Sequence, residues 1–421
     1  MPSSDRRHAR LATLVSFSSF FVFPALPVGH TGAITIPFVL AAGLALLWLR
    51  RLTIPEWGPF AWMIVPAVVS GCWVVLVGAA LAPEIVPKAI IAVAMSLFIV
   101  VPARHLLREG YGEQFVMGAA YAILVHAALG AYQVYAFDRG EFPFADLMRT
   151  NPAQALLADD TPTYVEYVKR PFGLFAEASA MAACVGPWLV VLTTALFAPP
   201  REPSRRRTAV LALAVGSGLA LVVASKSGMS VSIVAGTALT TLAAAFSWRR
   251  NVGARAAALV LSAGIAVAST VWLSENASSR FDFGQNESWQ SRLESLKLAV
   301  RTLGGSFDSG RLLVVGVGPG QSYSAINATA LKYEAGSGVT AVWSVGLNYA
   351  LETGLLGILG MLVLAATVAW SIWASRARLA GAACAVVWLT GVFLATSYVG
   401  QPAIWTALAV LLSWPSVVRR G

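Results

Sequence analysis

The chain has 421 residues, of which 57% are hydrophobic and only 12% charged, with a mean hydropathy of +0.70. Soluble globular proteins carry about 25% charged residues. Half that share, with apolar runs of roughly 18 or more residues recurring end to end, excludes a soluble enzyme, a secreted disulfide scaffold and a disordered chain. The net charge of +10 would suit a nucleic-acid ligand, but the positions of the charges assign it to another role.

In chain order the runs predict twelve membrane spans, about 12–28, 31–49, 58–81, 85–103, 114–136, 174–197, 208–224, 228–247, 256–273, 346–373, 379–397 and 402–418. Assigning the connections alternately to two sides separates the charges. One side holds eighteen arginines against five acids, and the other has slightly more acids than bases. The positive-inside rule puts the arginine side, with both termini, in the cytoplasm. The basicity is thus a topology signal and no nucleic-acid partner is expected.

Residues 1–421 then read as a single integral membrane domain, an all-α polytopic fold in the lipid bilayer. The first span follows Arg-Arg-His-Ala-Arg without a small-x-small cleavage site and reads as an uncleaved helix. Cys72, Cys184 and Cys384 all fall inside spans and have no metal-ligand spacing. No P-loop, dinucleotide fingerprint or zinc signature is present, so neither a cofactor nor a metal is expected.

Two outer segments are long, about 137–173 and 274–345. The second should contain an amphipathic helix near 288–303, because Trp289, Leu293, Leu296, Val300 and Leu303 recur at steps of four, three, four and three. Arg292, Lys297 and Arg301 lie off that stripe. Such a helix would rest on the outer membrane surface, cover a cavity, or simply pack on the spans. Gly304-Gly305 ends it, and Gly316-Val317-Gly318-Pro319-Gly320-Gln321 further on must form a tight turn.

Several positions carry possible chemistry. Arg170 and Glu177 bracket the entry to the sixth span, with Pro171 suited to a first helical turn. Glu177 would then lie on the same helical face about one turn inside the apolar region, where an ionisable group usually marks a site. A structural ion pair of Glu177 with Arg170 or Lys226 is the alternative. Lys226, between Ser225 and Ser227, is either an anion site or an interfacial lysine that snorkels to headgroups. His126 reads as a packing residue more than a base. Lys88 and Glu352 are also in or near the membrane. The glycine turn would either offer backbone N–H groups to a phosphate or be a turn only.

Five segments, in this order and spacing, resemble the O-antigen ligase and polysaccharide polymerase superfamily of bacterial inner-membrane proteins. They are 170–177, 225–228, Ser291-Arg292, 316–321, and Asn348 with the sequel 351–357. The resemblance covers roughly 165–365. It implies a large periplasmic loop, and glycosyl transfer from an undecaprenyl-diphosphate-linked glycan donor to a glycan acceptor at the periplasmic face, without metal or nucleotide.

By the same resemblance, Lys226 and Arg292 match the two basic positions that handle the diphosphate. Arg170 would join them, and Glu177 would be the base. Arg301, Gly318, Gln321 and Asn348 would bind substrate, with a chain-length regulator as an optional partner. The loop histidine of the ligases has no counterpart here, since all four histidines lie elsewhere. This favours a polymerase of lipid-linked repeat units. A ligase passing finished glycan to lipid A-core, and a transporter or flippase, remain the alternatives.

Overall fold

The computed structural model describes residues 3–150, 170–248, 297–303, 311–332, 344–392 and 401–418, together with Glu294 and apart from 24, 29–31, 49–51, 53, 81, 176, 199–203, 228 and 376. The predicted span 256–273 lies outside the described residues.

The described chain is helical. Its elements are α1 (Ser3–Ser18), a hairpin of β1 (Ala25–Val28) and β2 (Gly32–Thr35), α2 (Ile36–Leu47), α3 (Ile54–Leu76), α4 (Val86–Phe98), α5 (Val100–Arg108), α6 (Gly112–Phe137) and α7 (Ala145–Met148). After these come α8 (Ala178–Phe197), α9 (Arg205–Ala224), α10 (Ser230–Trp248), α11 (Arg311–Val315), α12 (Ser322–Lys332), α13 (Val345–Trp373), α14 (Arg378–Thr390), α15 (Pro402–Leu412) and α16 (Trp414–Val418). Among the described residues, six helices are long and apolar enough to cross a bilayer: Glu56–Leu76, Val86–Arg108, Gly112–Phe137, Ala178–Phe197, Arg205–Ala224 and Val345–Trp373. Four shorter apolar helices, Ile36–Leu47, Ser232–Ala243, Arg378–Thr390 and Pro402–Leu412, accompany them. Proline stands in the first turn of α2, α4 and α15, where its missing N–H would have had no helical partner.

Helix α8 is the hub. It is buried on nearly every side and packs on α6, α9, α10, α14 and α15, as a helix apolar all round must. Two hydroxyls inside the bundle bond back to their own helices, Thr194 to the Val190 carbonyl (2.8 Å) and Thr237 to that of Ile233 (2.7 Å). That leaves them satisfied where no water can reach.

The bundle has two distinct ends. At one, His8 lies between the rings of Trp48 and Tyr111 and Arg108 pairs with buried Glu56 at 2.8 Å. Arg207 pairs there with Glu113 at 2.9 Å, and Gly112 packs on Ser416 and Val417. The beginning of α1 and the end of α16 therefore share this arginine-rich end. At the other end are the hairpin and a cluster of Val22, Phe23, Phe137, Met148, Phe172 and Ala178.

Three expectations are corrected. The first span does not run to residue 28: α1 stops at Ser18 and the antiparallel hairpin follows, with Ala25 opposite Thr35 and Val28 opposite Gly32. Pro24 and Pro27 explain this, because neither can continue a helical ladder. The sixth span starts at Ala178 instead of 174. In the large outer segment, residues 297–303 are helical; of the predicted stripe, Trp289, Leu293 and Leu296 lie outside the described residues, Leu303 packs inward, and only Val300 departs from the expectation. Val300 is 56% exposed, while Leu298, Ala299 and Thr302 are buried. The apolar surface of Val317, Ala325, Ile326 and Leu351 captures that neighbouring face.

Candidate functional site

The predicted site residues that are described gather at the end opposite the arginines, in two groups. The first group is built on α6, α8, α9 and α10. Residues 170–175 do not form the first turn of α8. They run as a turn laid against α6, which corrects the expectation that Pro171 opens the helix and that Glu177 lies a turn inside it.

Two fully buried side chains of α6, one above the other two helical turns apart, hold that turn. The Gln133 Oε1 accepts from the Phe172 and Gly173 N–H groups at 3.0 and 2.8 Å, and its Nε2 donates to the Gly173 carbonyl at 2.9 Å. The His126 Nδ1 accepts from the Leu174 N–H at 3.1 Å, which fixes the ring as the neutral tautomer protonated on Nε2. Gly173 has φ +60, and the imidazole fills the space a Cβ would need, so only glycine fits there.

Glu177 is the extended residue that caps α8 (φ −160, ψ 171). Its backbone carbonyl accepts from the Met181 N–H at 2.9 Å, and its carboxylate accepts from the Ser179 hydroxyl. It is half-buried, at a helix N-terminus where exposed N–H groups favour negative charge. Arg170, also half-buried, precedes the turn.

Lys226 is at the same end, in the short connection between α9 and α10. Its backbone is left-handed (φ 49) and its side chain is exposed between buried Ser225 and Ser227. The flanking hydroxyls shape the connection. Ser225 and Ser230 both donate to the Val222 carbonyl, at 2.6 and 2.8 Å, and the Ser227 Oγ accepts from the Met229 N–H at 3.3 Å. The lysine alone faces outward.

The second group lies on α3, α4 and α13. The glycine turn here is a structural wedge. Helix α13 is broken at Gly354 (φ 61, ψ −149), which frees carbonyls from the i→i−4 ladder. The Val317 and Gly318 N–H groups fill the gap, donating to the Leu351 and Glu352 carbonyls at 3.0 Å each. A Cβ on Gly316 or Gly354 would come within 2.5 Å of a backbone nitrogen of the other. The Ser70 hydroxyl bonds to the Val315 carbonyl and to that of Glu352.

Gln321 is committed in both directions to the Ala82 backbone, accepting from its N–H and donating to its carbonyl at 2.8 Å each. Gly318 and Gln321 thus hold the wedge in place. Asn348 does line a space, a cavity of about 900 Å³ between α13 and α14 whose other walls are apolar apart from Tyr349, Glu352 and Arg378. Arg301 is exposed on the 297–303 helix, and Arg292 lies outside the described residues.

Glu352 takes no role in the sequence pattern beyond its place in or near the membrane. It is only 8% exposed, and its carboxylate accepts from the Ser322 hydroxyl at 2.7 Å and from the Gly320 and Ser322 backbone N–H groups. An acid in an apolar run two residues before a glycine was the available signal. Among the described residues no group of three His, Cys, Asp or Glu side chains has metal-binding geometry.

The fold defines a helical, multi-pass membrane protein with polar groups assembled at one end of its bundle. Comparison of the sequence with models of known protein families and with curated proteins returns no match.

Proposed function

We propose that this chain is an inner-membrane glycosyltransferase that polymerises undecaprenyl-diphosphate-linked oligosaccharide repeat units at the periplasmic face. The observation that carries the reading is the first group. A half-buried carboxylate, Glu177, stands at the N-terminus of the buried hub helix, at the same end as the outward-facing Lys226 and with Arg170 on the turn that leads to it.

A sugar on a diphosphate already has a good leaving group, so the protein must supply cations and a base. The acceptor hydroxyl attacks the anomeric carbon and loses its proton to Glu177. The carbon–oxygen bond to the diphosphate breaks, and undecaprenyl diphosphate departs with the electron pair, its charge met by Arg170, Lys226 and Arg292. Attack from the opposite face inverts the anomeric centre. The arginine-rich end faces the cytoplasm by the positive-inside rule, which orients the site to the periplasm in a twelve-span topology with both termini inside.

A transporter reading draws on the broken helix α13, since discontinuous helices often hold ions in transporters. Here the freed carbonyls of Leu351 and Glu352 are already occupied by the chain's own N–H groups, so the break is filled by the protein itself.

The test is the glycan profile of a strain lacking the gene, with lipid-linked intermediates extracted alongside. Single repeat units without polymer support the polymerase. Full-length polymer left on the carrier means a ligase, and an unchanged profile removes both readings.

A further inference from the structure

A transmembrane helix gains nothing by burying an amide side chain and an imidazole unless each finds partners, because an unpaired polar group in an apolar interior is costly. Gln133 and the Nδ1 of His126 find theirs across to another segment, while the buried His126 Nε2 has no hydrogen-bond partner of good geometry among the described residues. Their four hydrogen bonds all end on three consecutive residues, Phe172, Gly173 and Leu174. These stand immediately between Arg170 and Glu177. The turn has no helical ladder of its own, so without those side chains its N–H groups would be orphaned.

The surroundings tighten the arrangement. The His126 ring lies 4.5 Å from that of Phe175 and 5.0 Å from that of Phe21. Pro171 and Leu221 close on α6 at Gly130, between the two polar residues. Leu221 belongs to α9, four residues before the Ser225 that precedes Lys226. The same strip of α6 is therefore in register with both the 170–175 turn and the end of α9 that presents the lysine.

We propose that Gln133 and His126 are the positioning residues of this site: a buried two-point clamp on α6 that fixes the 170–175 turn and so sets where Arg170 and Glu177 stand relative to Lys226. Neither touches substrate. The inference rests on the reading of Glu177 as the base.

The experiment uses the full chain in phosphatidylethanolamine–phosphatidylglycerol nanodiscs for amide exchange, and the gene-deletion strain complemented with each variant for polymer output. Gln133→Leu and His126→Leu remove the acceptors. Gln133→Glu, as a neutral carboxyl, restores both acceptor and donor, and His126→Asn places an amide oxygen near the former Nδ1. The leucine variants should speed exchange at 172–174 by roughly tenfold to a hundredfold while α8 stays protected. Polymer should fall at least about tenfold per unit of membrane protein. The conservative variants should restore both.

Unchanged exchange in the leucine variants, or accelerated exchange with undiminished polymer, overturns the clamp. If the leucine variants do not accumulate, the conservative pair decides: wild-type protection and output uphold it, and wild-type protection with lost output overturns it. Glu177→Gln is run in parallel. Wild-type output from that variant removes the base assignment, while the exchange data still report on the clamp itself.

Discussion

Lys226 holds a left-handed backbone that disfavours any side chain by about 1 kcal/mol or more. Glycine would be the stable choice after the end of α9, so a lysine there sets charge against stability. Lys226→Gly should raise the melting temperature of the detergent-solubilised protein by a few degrees while lowering polymer output at least about tenfold. Lys226→Arg should keep most of the output, because either cation can meet a phosphate. A Lys226→Gly protein that melts earlier and works normally would refute the strain argument and the charge argument together. For the carboxylate, Glu177→Gln preserves shape and removes the proton acceptor. Polymer should then fall by roughly a hundredfold or more, the scale of a lost general base, with membrane protein levels unchanged on immunoblots.

At the scale of elements, the wedge and the broken helix are mutually dependent. Gly316 and Gly354 approach backbone to backbone, and both have positive φ. Gly354→Ala must therefore displace the 313–318 backbone or straighten α13, and either exposes the carbonyls that Val317 and Gly318 now satisfy. The expected loss is about 3 kcal/mol or more, read as poor accumulation in the membrane and an early thermal transition. Gln321→Leu is milder: two hydrogen bonds to Ala82 disappear and its amide is left unpaired, costing roughly 1–3 kcal/mol. If Gln321→Leu kept full stability but lost polymer output, Gln321 would be a substrate residue after all, as the resemblance implied.

Across the whole molecule, the separation of charged ends gives a direct topological prediction. Cys72 is exposed on α3, and Cys184 and Cys384 are buried, so a Cys72→Ser background leaves little native reactivity. A membrane-impermeant maleimide applied to cells with a permeable outer membrane should label Lys226→Cys. It should reach Arg108→Cys only after the inner membrane is opened. The reverse pattern would put the arginine-rich end outside and end the periplasmic reading of the site.

The sequence by itself determined where the helices of this protein lie. A bilayer demands long apolar runs, and that demand is met locally, residue by residue, so α3, α6, α9 and α13 were legible to within a few residues. It also predicts which loops share a side, because arginines accumulate in short connections independently of packing. Only the tertiary structure decided how polar groups inside the bundle are satisfied. Gln321 meets Ala82 across 239 residues and Ser70 meets Glu352 across 282. His126 reads as packing until Leu174, 48 residues away, is seen to donate to it. Hydrogen bonds between distant segments leave no periodic trace in composition, and the break in α13 exists only because another segment is there to fill it.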